Sequence, residues 1–265
     1  MARENNLGED KISRLILKLA IPSMLAQFVS VLYSIVDRMY IGNIPQVGDV
    51  ALAGVGVCGP VVTMVGSVAV LVGVGGAPLV SIRMGEGDLK AAKKVLANCF
   101  LLFAVFSVLL IGGIWPFREP MLRLFGASDA TYPYAEEYFT AYLWGTFFAL
   151  AASGLNQFII CQGFAKIGMA SVILGAALNI ALDPVFIFVL DMGVRGAAIA
   201  TVLSQAASAA FVIAFLFGNR VLVPITFGGY DLRVMGRVLV MWCTPFLILA
   251  VDTVRVRALA AILHR

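Results

Sequence analysis

Charge is scarce in this sequence: Lys, Arg, Asp and Glu make up 13% of the 265 residues, against 61% apolar. A water-soluble domain carries about 25% charged and about 45–50% apolar residues, so water is excluded as the main solvent of this chain. Histidine is rarer still. The single one, His264, stands beside the last residue, which removes histidine-ligated metal sites and Ser/His or Cys/His nucleophilic catalysis. No enzymatic chemistry and no resident cofactor are expected. The four cysteines, Cys58, Cys99, Cys161 and Cys243, fall in separate apolar stretches with no CxxC spacing, so they read as buried free thiols and not as a disulfide framework or zinc site. The net charge of +4 gathers into no basic cluster, because the 19 Lys and Arg fall at the ends of apolar runs. No nucleic-acid partner follows from it. The first 20 residues are charged and lack a small-residue cleavage site ahead of the first apolar run, so no removable leader is expected.

What the chain does have is length of hydrophobicity. Apolar runs of about 20 residues or more, each enough to cross a hydrocarbon core about 30 Å thick, predict an all-α membrane protein surrounded by a lipid bilayer. Spans are expected at residues 15–41, 51–82, 95–115, 133–161, 169–190 and 196–217, with a partial seventh from about 237. The connectors are short, at 42–50, 83–94, 116–132, 161–168, 191–195 and 218–236. Six crossings return the chain to its starting side, and the basic residues test that count. Arg3, Lys11, Arg14, Lys18, Arg83, Lys90, Lys93, Lys94, Lys166, Arg220, Arg233 and Arg237 fall on one side, and only Arg118, Arg123 and Arg195 on the other. Cytoplasmic connectors carry the excess of Lys and Arg, so the N-terminus is expected to be cytoplasmic, in a cytoplasmic (inner) membrane.

The seventh segment begins like the first: Arg14 precedes Pro22 by eight residues, and Arg237 precedes Pro245 by eight. Six helices per repeat preserve orientation, as in the parallel repeats of some secondary transporters. On that reading residues 1–230 form a six-helix lobe, and 231–265 open a second lobe that is cut short. Pro22 and Pro184 are expected to bend their helices, because proline gives no N–H and its ring crowds the preceding turn.

Few residues in the spans carry chemistry. Gly54, Gly56 and Gly59 spell GxGxxG, but the dinucleotide turn needs a strand before it. Inside a membrane span these residues, with Gly73, Gly75, Gly76 and the run Gly196, Ala197, Ala200, Thr201, Ser204, Ala207 and Ser208, read as close-packing surfaces. Asp183 is different, since a carboxylate near the bilayer centre costs at least about 2.5–3.5 kcal/mol on insertion scales. It follows Asn179 by four residues, which puts both side chains on one helix face. Pro184 comes next and cannot donate to the carbonyl of Ile180. Two polar side chains and a free carbonyl fit a small hard cation or a transferable proton. Asp37, beside Arg38 near the end of the first span, either snorkels to water or serves a site. Gln27, Ser30, Tyr33, Ser34, Asn156, Gln157 and Gln162 either line a cavity or bond across helix interfaces.

Several stretches together resemble the bacterial type of the multidrug and toxic compound extrusion (MATE) family: LAIPSMLAQ around Pro22, SIVDRMYIG around Asp37, MGEGDLKAAKK, LFGASDATYPYAEEY, LNIALDPVFIF and GVRGAAIATVLSQ. The resemblance runs along nearly the whole chain. It implies two six-helix lobes around a cavity, half of a twelve-helix transporter, with small amphipathic or cationic substrates exported in exchange for Na⁺ or H⁺. It also implies an N-lobe cation site at Asp37, Asn179, Asp183 and Thr201, and a missing C-terminal lobe or a second copy of the chain as partner. Arg255, Arg257 and Ala260 depart from the family's pattern. Two other readings compete: a flippase for lipid-linked precursors in the same superfamily, whose cavity would be rich in Arg and Lys, and a non-transporting membrane fragment.

Overall fold

The computed structural model describes residues 12–241, and within them the protein is a bundle of α-helices. The bilayer's thickness dictates this architecture, because a buried backbone in lipid must satisfy its own N–H and C=O groups. The helices are α1 (Ile12–Gly42), α2 (Gly48–Gly85), α3 (Leu89–Ile114), the short α4 (Arg118–Leu124), α5 (Tyr132–Trp144), α6 (Thr146–Cys161), α7 (Ala165–Pro184) and α8 (Gly193–Phe217). A 3₁₀ turn at Trp115–Phe117 joins α3 to α4, and a π-helical turn at Val185–Val189 prolongs α7. Asp88 starts α3 by accepting the Ala91 N–H at 3.0 Å, a standard N-cap.

Among the described residues, five spans are long and apolar enough to cross by themselves, and α5 with α6 makes a sixth that bends by 57°. The expected span at 133–161 is therefore broken. At the break, Gly145 lies so close to α8 that a side chain there would run into Val202, and Thr146 Oγ1 donates to the Leu143 carbonyl at 2.7 Å. The connector expected at 116–132 contains α4, whose Arg123 pairs with Glu119 at 3.2 Å and Asp129 at 3.0 Å.

Lateral packing supports the six-span count. Residues 221–231 strap across one end of the bundle: Gln162 exchanges two bonds with Val223 at 2.9 and 3.2 Å. Asn98 receives the Asp231 N–H at 2.8 Å, and Lys94 Nζ meets Asp231 at 2.8 Å. The second, fourth and sixth connectors thus share one end, the basic one. Residues 44–47 and 191–194 line one pocket, and Arg118 pairs with Glu136 at 3.2 Å, so the first, third and fifth share the other.

Phe103, Phe139 and Phe158 centre the apolar core. Small residues admit close helix approach where the sequence pattern placed them, with one division. A Cβ at Gly54 would stand 2.8 Å from the Thr131 carbonyl oxygen and one at Gly73 2.9 Å from that of Gly154, whereas a Cβ at Gly56 or Gly59 would meet open space, so these two are no close-approach points among the described residues. Cys58, Cys99 and Cys161 are free thiols. A further helical stretch begins at 232, with the Asp231 carboxylate accepting the Arg233 N–H at 2.9 Å. Cys243, Pro245, Arg255, Arg257, Ala260 and His264 lie outside the described residues, as does the repeat relation they carry.

Candidate functional site

Helix α7 packs along α1 on one side and α8 on the other, and the three helices bring four polar residues together. Asn179 and Asp183 come from one face of α7, Asp37 from α1 and Thr201 from α8. All four are buried, at 8% exposure for Asp37, 2% for Asn179, 0% for Asp183 and 8% for Thr201. Asp37 therefore turns inward, and the snorkelling alternative does not hold. Asn179 ties the group: its Nδ2 donates to Asp183 Oδ1 at 3.1 Å and to Thr201 Oγ1 at 3.3 Å. Asp37 and Asp183 are near enough to interact electrostatically.

These four residues hold more acceptors than donors. Asp37 Oδ1, Asn179 Oδ1 and Asp183 Oδ2 are buried without a hydrogen-bond partner. Buried polar atoms are normally paired, and an orphan costs about 1–3 kcal/mol. Three orphan acceptors in one cluster, supplied by two carboxylates and an amide beside a hydroxyl, make an oxygen-only set of the kind that suits a hard cation or a shared proton. The backbone is irregular at the same point. Pro184 carries no N–H, and the chain continues as a π turn closed by the Leu190 N–H on the Val185 carbonyl at 2.9 Å. Such turns are rare and concentrate at functional sites.

A cavity of about 300 Å³ adjoins the cluster and shares Asn179 and Thr201 with it. Its wall runs down α7 and α8 through Gly175, Ser204, Gln205, Ser208 and Ser171, with Tyr33 and Tyr142 across from them. Gln205 points a buried, unpartnered Oε1 at this region. No Lys, Arg, Asp or Glu lines the cavity. Of the seven residues named for a cavity, Ser30 and Tyr33 line it. Gln27 is exposed on α1, Asn156 bonds the Gly168 carbonyl at 3.3 Å between α6 and α7, and Gln157 packs on Gly73. Gln162 joins the strap instead. Pro22 sits inside α1, which continues through it. Sequence reasoning missed Tyr142, Gln205, Ser171 and Ser208. Gln205 carried the one available signal, an uncharged hydrogen-bonding side chain one turn from Thr201 in an apolar span.

Known proteins place this geometry in a family. The chain is 26% identical over 211 residues to the multidrug export protein MepA of Staphylococcus aureus (strain MSSA476), covering 78% of this chain and 45% of that protein. To the FAD transporter of Shewanella oneidensis it is 28% identical over 210 residues, covering 77% of this chain and 45% of that one. An outward-facing structure of a multidrug resistance MATE family transporter of the MOP superfamily superposes with a TM-score of 0.82 at 27% identity, over 91% of this chain and 54% of its own. The chain thus spans about half the length of the proteins it matches. The MatE family model matches residues 22–185, the stretch that holds Asp37, Asn179 and Asp183, and with that match and this fold the chain belongs to the MatE family.

Proposed function

We propose that this lobe holds the coupling site of a secondary antiporter, where a Na⁺ ion or a proton occupies Asp37, Asn179, Asp183 and Thr201 and drives export of a small amphipathic molecule. The observation that carries the reading is the set of three buried acceptor oxygens without donors at the junction of α1, α7 and α8. A cation or proton satisfies them, and its departure leaves an unfavourable state. Because Asn179 and Thr201 belong to both cluster and cavity, ion binding and cavity shape are linked through shared side chains. An ion moving one charge through 100 mV releases about 2.3 kcal/mol, enough to drive such an exchange.

The uncharged wall, with two tyrosines and several hydroxyls, suits neutral or cationic amphipathic compounds. It offers no basic side chain to a diphosphate, which disfavours both a flavin dinucleotide and a lipid-linked precursor as cargo. Full transport requires the further six spans' length present in the relatives, from a longer chain, a separate lobe or a second copy. The basic end of the bundle, with Lys90, Lys93 and Lys94, faces the cytoplasm in this reading. The test is export of a fluorescent lipophilic cation from liposomes by this lobe completed with a second one, under a Na⁺ or proton gradient. Asp183→Asn and Asp37→Asn each stop cation-driven export while the protein remains inserted. Export at the parent rate by either variant removes that residue from the coupling site.

A further inference from the structure

At the end of the bundle opposite the basic connectors, a groove of about 660 Å³ runs between α5 and α8 beside the 3₁₀ turn. Its lining changes with depth. Along α5 Glu137 is followed by Thr140 and Trp144, and along α8 Arg195 is followed by Ile199 and Leu203. The eight residues from Arg195 to Leu203 advance about 12 Å along α8, so the groove runs from an ionic mouth at Glu137 and Arg195 to an apolar stretch at Trp144 and Leu203. Trp144 is 62% exposed and Leu203 44%, which opens the apolar end sideways, where lipid chains lie.

The charges at the mouth are only partly matched. Arg118 Nε donates to Glu136 at 3.2 Å and Nη1 to the Trp115 carbonyl at 3.2 Å, and its guanidinium covers the Trp115 ring at 4.8 Å. Glu137 and Arg195 have no ion-pair partner among the described residues. One unmatched anion and one unmatched cation above an apolar slot complement a zwitterionic lipid. We propose that this groove binds one phosphatidylethanolamine from the leaflet on that side, with its phosphate at Arg195, its ammonium at Glu137 and an acyl chain along Trp144 and Leu203. A primary ammonium donates charge-assisted hydrogen bonds to a carboxylate. A choline head relies on an aromatic face, and Arg118 already covers that of Trp115. An anionic lipid would set its net negative charge against Glu137.

Tryptophan fluorescence tests this. In a Trp242→Phe background the remaining tryptophans are Trp115 and Trp144, and both line the groove. The full chain is reconstituted in phosphatidylcholine bilayers containing a small fraction of one acyl-brominated lipid. Brominated phosphatidylethanolamine should quench as though enriched about two- to fivefold over the same fraction of brominated phosphatidylcholine or phosphatidylglycerol, the factor expected of one exposed charge pair. Glu137→Gln removes the preference for ethanolamine over choline. Quenching in a fully brominated bilayer stays at the parent level, which confirms insertion. Equal quenching by the three lipids in the parent chain overturns the proposal. So does a preference for phosphatidylglycerol, or an ethanolamine preference that survives Glu137→Gln.

Discussion

Asp183→Asn keeps the shape of the side chain and removes its charge. In the structure Asp183 Oδ1 accepts one bond, from Asn179, and Oδ2 accepts none. Without a bound cation or proton the carboxylate carries a burial cost of about 2.5–3.5 kcal/mol, by insertion scales for the bilayer centre. An amide avoids that cost. It also weakens the bond from Asn179, since a hydrogen bond to a charged group contributes about 1.5–3 kcal/mol and a neutral one about 0.5–1.5. The difference leaves the cation-free variant more stable than the parent by about 1–2 kcal/mol, and at about 2–4 °C per kcal/mol its melting point rises by roughly 2–8 °C. The response to ions goes the other way. A ligand at 100 times its Kd stabilises by about 2.7 kcal/mol, so the parent gains stability from Na⁺ over choline, or from protons, according to which ion it takes. The variant gains from neither. Thermal unfolding of the detergent-purified chain, with Na⁺, choline and pH as variables, measures both effects without any transport. A variant that melts lower than the parent in choline and keeps the parent's ion response refutes the reasoning, and makes Asp183 a structural hydrogen-bonding group.

Gly154→Ala drives a methyl group into the Phe103 ring and should cost about 1–3 kcal/mol by overpacking, whereas Gly56→Ala meets open space and should leave the melting point unchanged or higher. Equal losses in the two would show that helix approach does not set stability here. Outside the spans, Lys94 and then the Arg233 N–H hold the Asp231 carboxyl below the usual carboxylate range. A group with a depressed folded value stabilises fully above its unfolded value, about 3.9 for Asp, and loses that contribution as pH falls through the folded one. The protection factor of the Asp231 N–H, which bonds Asn98, should therefore fall below about pH 4, and Asp231→Asn should flatten that dependence.

The number of crossings was legible because bilayer thickness converts directly into a run length. The 57° break between α5 and α6 was not. Residues 133–161 read as one apolar run, and the feature that accompanies the break is the close approach of Gly145 to Val202, 57 residues away in sequence. The direction of Asp37 was hidden for a related cause. In a soluble helix the buried face is the apolar one, but lipid and protein interior are equally apolar, so the sequence of α1 does not mark which face meets α7. The pair Asn179 and Asp183 needed only the helical period and was visible. Thr201 sits among Gly, Ala and Ser residues that serve packing, and only the fold and the family resemblance separate it from them.

The irregular turn after Pro184 ties that packing to the chemistry. A regular α7 would carry its helical ladder through Val185–Val189; the π turn presents backbone to α8 there instead. Gly196 lies against the Phe186 carbonyl, where a Cβ would stand 2.6 Å away, so α8 rests directly on the turn with no side chain between them. Thr201 is five residues further along α8, less than a turn and a half, and this close seat lets its hydroxyl reach Asn179 at 3.3 Å. The glycine that reads as a packing residue and the threonine that reads as a ligand are therefore parts of one arrangement. Any larger residue at 196 lifts α8 from the turn and opens the Asn179 to Thr201 contact, although residue 196 touches none of the four site residues.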